Sequence, residues 1–171
     1  MDRTTLLYIL DSIQTQIRFF DMKAQLVLAT DGVLAGFLGL QTPRVAAAIR
    51  SEHWSASTFP LLVTFAGCCA MLLFSLYQGF RTVRPRVKLS QPESRIFFDH
   101  IAKQYGSDYS RIAEEYLRIP DEELQRDAAT QILATSKLCS AKLHDLTLAA
   151  DYLLVALLFW LATLLFLLGI N

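Results

Sequence analysis

The sequence predicts an all-α integral membrane protein with three transmembrane helices and a cytoplasmic helical domain between the second and third. Three observations lead there. Hydrophobic residues make up 53% of the 171 positions and the mean hydropathy is +0.35, above the roughly 45–50% apolar content of soluble domains. Three apolar runs are long enough to cross a bilayer, and no segment shows the strict alternation of a half-buried strand.

The runs are 24–42, 59–80 and 149–170. A helix needs about 20 apolar residues to cross the hydrocarbon core. The second run carries no charge, the third carries only Asp151 near its start, and the first carries Asp31 in its interior. Flanking cations set the orientation. Arg81, Arg84, Arg86 and Lys88 follow the second run, and Arg3, Arg18 and Lys23 precede the first. The loop 43–58 holds only Arg44 and Arg50. The N-terminus and residues 81–148 are therefore expected in the cytoplasm of a multi-pass protein, with the loop around Trp54 on the other side.

Residues 1–23 form an amphipathic extension of the first span. Leu6, Leu10, Ile13, Ile17 and Phe20 recur at helical spacing, which predicts one helix from about residue 4 to 42, halted by Pro43. In 81–148, a turn-rich stretch with two prolines leads into an expected helix over 93–105. Ser107 or Asp108 can cap a second helix ending near Arg118. Pro120 followed by Asp121, Glu122 and Glu123 is a helix start. Beyond it no Gly or Pro occurs until Gly169. A single helix from Asp121 to Ile170 is expected, on the order of 70 Å long at about 1.5 Å per residue.

Sixteen basic and sixteen acidic side chains give zero formal net charge, so no whole-chain field points to nucleic acid. Cys68, Cys69 and Cys139 have neither metal-ligand nor disulfide-framework spacing. His53, His100 and His144 form no metal motif, and the glycine loops that cradle phosphates are absent. No enzyme activity, metal or cofactor is expected. Asp11, Arg18 and Asp21 interrupt the first apolar stretch, which argues against a cleaved signal peptide.

Asp31 is the most informative single residue. An acid within a span costs about 3 kcal/mol or more and should face protein or water. It reads either as a polar site at an interface or pore, or as an acid kept near the headgroups or protonated beside Thr30. Gly32, Gly36 and Gly39 follow on the same span, and small residues let membrane helices approach closely, within one chain or between chains. In the cytoplasmic block Phe97, Phe98, His100 and Tyr105 offer flat faces, and Arg95, Lys103 and Lys142 offer positive charge. That pairing suits a nucleobase and a phosphate, although Phe97 and Ile101 also fit a helical core.

Asp21-Met22-Lys23-Ala24 followed by Asp31-Gly32 resembles the D-x-K-A…[N/D]-G opening of the Pycsar transmembrane effectors. Phe97-Phe98-Asp99-His100-Ile101 resembles their F-F-x-H-I segment, and Gln131-Ile132, Ser136 and Lys142 resemble their Q-I…S…K helix. The resemblance covers nearly the whole chain, in order and spacing. It implies an antiphage effector in the bacterial inner membrane that senses cyclic UMP or cyclic CMP, made by a neighbouring cyclase on infection. Carried over by position, Asp21, Lys23, Phe97, Phe98, His100 and Lys142 become candidates for the sensing region, with Asp31 as a candidate polar site in the membrane. The partners implied are the lipid bilayer, the messenger and further copies of the chain. A non-enzymatic membrane scaffold for a soluble partner and a small channel unrelated to defence are the alternatives.

Overall fold

The computed structural model describes residues 3–50, 58–84, 110, 114 and 118–169. Three long helices account for most of them: α1, Arg3–Arg50; α2, Thr58–Val83; and α3, Asp121–Gly169. No strand occurs among the described residues. All three helices are long and apolar enough to cross a membrane. Trp54, the helix expected over 93–105 and most of the one expected to end near Arg118, and Arg95, Phe97, Phe98, His100, Ile101, Lys103 and Tyr105 lie outside the described residues.

The helix ends follow local chemistry. At the start of α3 the Pro120 carbonyl accepts from the amides of Glu123 and Leu124 at 3.0 and 3.3 Å, and three acids occupy the first turn, where they oppose the positive end of the helix dipole. The 49 residues of α3 run without interruption from Asp121 to Gly169. α2 stops at Val83, two residues before Pro85, whose ring disfavours helical geometry in the residue preceding it.

One boundary departs from the sequence expectation. α1 does not halt at Pro43 but continues to Arg50. A proline removes one ladder donor, here the one that would meet the Gly39 carbonyl. The Thr42 hydroxyl donates to the neighbouring Leu38 carbonyl at 3.0 Å. Val45 beyond the proline is buried, and Ala46, Ala47 and Ala48 favour helix. Tertiary contact and propensity together carry the helix past the missing bond, so the expected external loop begins as helix.

The chain divides into two compact units, one comprising Met1–Phe19 and Pro85–Ala141 and the other Phe20–Arg84 and Lys142–Asn171. In the first, Leu6 and Leu10 of α1 and Ala128, Gln131 and Cys139 of α3 are buried. The Cys139 thiol points at Gln16 Oε1, 3.8 Å away.

The second unit is a three-helix bundle with a small core. Leu34 and Leu38 of α1, Cys68 and Leu72 of α2, and Leu153 and Ala156 of α3 form its centre. Phe65, Leu157, Phe159 and Trp160 close around it, and Phe37 and Trp160 meet with ring centroids 5.8 Å apart. The Cys68 thiol donates to the Ala156 carbonyl at 3.2 Å. Buried positions on α1 (Ala24, Asp31, Leu34, Leu38, Gln41, Val45) are spaced by seven, three, four, three and four. That rhythm is the seam of left-handed helix packing.

Two glycines lie at close approaches between helices. A Cβ on Gly79 would lie 2.8 Å from Leu28 Cδ2, and one on Gly67 would lie 3.0 Å from the Phe159 ring. Cβ atoms on Gly32, Gly36 and Gly39 would meet nothing within 4 Å among the described residues, so the GxxxG of α1 takes no part in the packing of the three described helices. Gly79→Leu is expected to lower the stability of the purified protein by about 1–3 kcal/mol through overpacking. Gly36→Leu should leave it unchanged. Thermal unfolding in detergent, followed by circular dichroism, checks both.

Candidate functional site

The second unit carries polar groups on the same buried faces as its core. On α3 the buried positions Lys142, Asp145, Ala149, Leu153 and Ala156 follow one another at three- and four-residue steps. On α2 they are Cys68, Leu72, Ser75, Gly79 and Thr82. Polar and apolar residues thus share one seam, and the polar ones pair across it.

Lys142 of α3 donates to Asp21 Oδ1 of α1. Lys142 is only 5% exposed, while Asp21 remains half-buried. An ammonium held out of water needs such a carboxylate, because a buried unpaired charge is far costlier than a pair. One turn on, the buried Asp145 faces Arg81 of α2 at 3.7 Å, and the Arg81 guanidinium also lies over the Tyr77 ring, 5.8 Å from its centroid. This second pair opens to solvent through Arg81, whose side chain is 45% exposed.

Asp31 marks a third polar level. It is fully buried, with Oδ2 lying 3.0 Å from Ser75 Oγ of α2. The same Ser75 Oγ lies 2.9 Å from the Ala149 carbonyl oxygen of α3. One hydroxyl therefore ties three helices together. Asp31 Oδ1 is buried without a hydrogen-bond partner. Thr30 is not the acid's neighbour expected from sequence: its exposed hydroxyl donates to the Leu26 carbonyl of its own helix at 3.0 Å.

Of the residues singled out in the sequence, Asp21, Asp31 and Lys142 thus fall on the seam. Lys23 is exposed. Phe97, Phe98 and His100 lie outside the described residues. Sequence reasoning missed Ser75, Arg81 and Asp145 as seam residues. Their signal was present, since Ser75 continues the rhythm of Cys68 and Leu72, and Asp145 sits three residues after Lys142. In the first unit Gln131 is buried with Nε2 unpaired, and burial pushes the Cys139 thiol above its ordinary range. Among the described residues no group of His, Cys, Asp and Glu could hold a metal ion.

A family model described as the Pycsar effector protein domain matches residues 5–169. The chain belongs to the Pycsar effector family. The match runs through all three long helices, so the seam lies wholly inside the family domain, and the family is one of antiphage defence effectors. Among the curated proteins and the solved structures compared with this Pycsar effector, none matches.

Asp21→Ala, which strands the buried Lys142 ammonium, is expected to cost about 3–5 kcal/mol. The double variant Asp21→Leu, Lys142→Met should recover most of that loss. Thermal midpoints of the two proteins in detergent decide it. Cys139, buried and with its thiolate disfavoured, should resist iodoacetamide at pH 7.5 in the folded protein and react once it is denatured. Mass spectrometry of the labelled peptide reads the difference.

Proposed function

We propose that this chain is an effector that senses cyclic UMP or cyclic CMP made by a partner cyclase, impairs the bacterial inner membrane, and thereby aborts phage infection. It acts without catalysis, as an assembly of several copies with its N-terminus and residues 81–148 in the cytoplasm. The family match over residues 5–169 carries this reading. Three helices able to cross a membrane supply the means of acting on one.

The seam suggests how a ligand acts on the helices. Lys142 is held by a single half-buried carboxylate, Asp21. The messenger's phosphate is an anion that competes for the same ammonium through a charge-assisted bond of the same kind. Capture of Lys142 by the ligand frees Asp21, and α1 and α3 lose a tie. A ligand shifts such an equilibrium only through unequal affinity for the two packings. The partner exchange supplies that inequality, because the phosphate gains Lys142 only where Asp21 has let go. Asp21, Lys23, Phe97, Phe98, His100 and Lys142 are the candidate sensing residues in this reading.

The test is membrane potential in cells making the chain together with a cyclase that produces cyclic UMP or cyclic CMP. A potential-sensitive dye should report depolarisation within minutes of messenger production, and none with a catalytically dead cyclase. An intact potential in the presence of messenger refutes the proposal. Lys142→Met paired with Asp21→Leu, a combination that keeps the bundle packed, should abolish the response and leave insertion unchanged.

A further inference from the structure

A serine hydroxyl has one hydrogen, yet Ser75 Oγ stands within hydrogen-bond distance of two oxygens, Asp31 Oδ2 at 3.0 Å and the Ala149 carbonyl at 2.9 Å. If Asp31 were a carboxylate, both neighbours would be pure acceptors. One of the two short oxygen–oxygen contacts would then hold no hydrogen and be repulsive. The carboxylate would also be fully buried, with Oδ1 unpartnered and no ion pair among the described residues. A buried unpaired carboxylate is among the costliest groups a protein can hold.

One added proton removes every conflict. With the hydrogen on Asp31 Oδ2, the acid donates to Ser75 Oγ, and Ser75 donates its own hydrogen to the Ala149 carbonyl. Both short contacts become hydrogen bonds running in one direction across α1, α2 and α3. Oδ1 is then a neutral carbonyl oxygen, far cheaper to leave unpartnered than half of a carboxylate. We propose that Asp31 is a proton-binding site, present as the carboxylic acid in the packed bundle, and that loosening of the three helices releases its proton.

The surrounding charges do not provide another answer. On α1 no charged residue other than Asp31 lies between Lys23 and Arg44. On α2 the nearest cation in sequence is Arg81, engaged by Asp145; Tyr77 lies under that guanidinium, and Cys68 donates to Ala156. On α3, Lys142 is engaged by Asp21, His144 and Asp151 are exposed, and the Tyr152 ring lies tilted against Phe74 with centroids 5.6 Å apart.

Only the link from loosening to function rests on the effector reading; the proton itself does not. The experiment is infrared spectroscopy of the full chain reconstituted in lipid at pH 7.5. A carbonyl stretch of a protonated carboxylic acid is expected, and Asp31→Asn should remove it. Absence of that band, with Asp31→Asn lowering only carboxylate absorption, overturns the proposal. So does a band that appears only after sodium and potassium are withdrawn, since the site then holds a cation. Ser75→Ala gives an independent readout: the band should persist and move to higher frequency, the acid having lost its acceptor, and an unmoved band overturns the relay. Addition of cyclic UMP or cyclic CMP should bleach the band. A band indifferent to both nucleotides overturns the coupling, whereas failure of the effector reading shows separately as an undisturbed membrane potential.

Discussion

A polar group buried between apolar helices is costly unless it finds a partner on one of them, and each orphan costs on the order of a few kcal/mol. Within the second unit this constraint accounts for the arrangement of the seam. Lys142 has Asp21, Asp145 has Arg81, and Asp31 shares Ser75 with the Ala149 carbonyl. Threonine hydroxyls are satisfied within their own helices: Thr64, Thr82 and Thr163 bond carbonyls three or four residues back. The apolar centre of six buried residues sits alongside these pairs. Such a core supplies tight packing, while the polar pairs fix which residues face one another.

The outer surface inverts the usual rule for soluble proteins. Leu40, Leu73 and Leu165 are 75%, 67% and 70% exposed, and Val33, Phe37 and Leu158 stand outward with them. An apolar exterior around a partly polar interior suits a hydrocarbon surrounding, where side chains facing outward gain nothing by turning in. Association of the helices then rests on packing and internal bonds, such as Gly67 under the Phe159 ring and Gly79 beside Leu28.

Sequence alone made the three runs legible because length and continuous apolarity leave few alternatives for such segments. The uninterrupted course of α3 was equally plain, since nothing between Asp121 and Gly169 can break a helix. The seam was harder to see. Along α3 the apolar residues Ala128 and Leu146 are buried while Leu124, Ile132, Leu138 and Leu143 are half-buried or exposed, and the polar Gln131, Lys142 and Asp145 take buried positions beside Cys139. A periodicity read from apolar residues passes over a polar residue that is buried because it has a partner on another helix. Asp31 was conspicuous as a charge in a span, but Ser75 is an ordinary residue until the acid opposite gives it meaning. Pro43 misled for a related reason, since the cost of one lost bond was set against no tertiary contact beyond it.

The continuation of α1 through Pro43 leaves a mark on its mechanics. A helix resists bending because each turn is strapped to the next by its amide bonds, and at Gly39 one strap is missing. The stretch from Lys23 to Leu38, which carries Asp31 and the core leucines, is fully strapped and turns as one piece. The stretch from Arg44 to Arg50 hangs from it by a softer joint. Bending of α1 is therefore easiest at the proline, beyond the polar level and the core leucines.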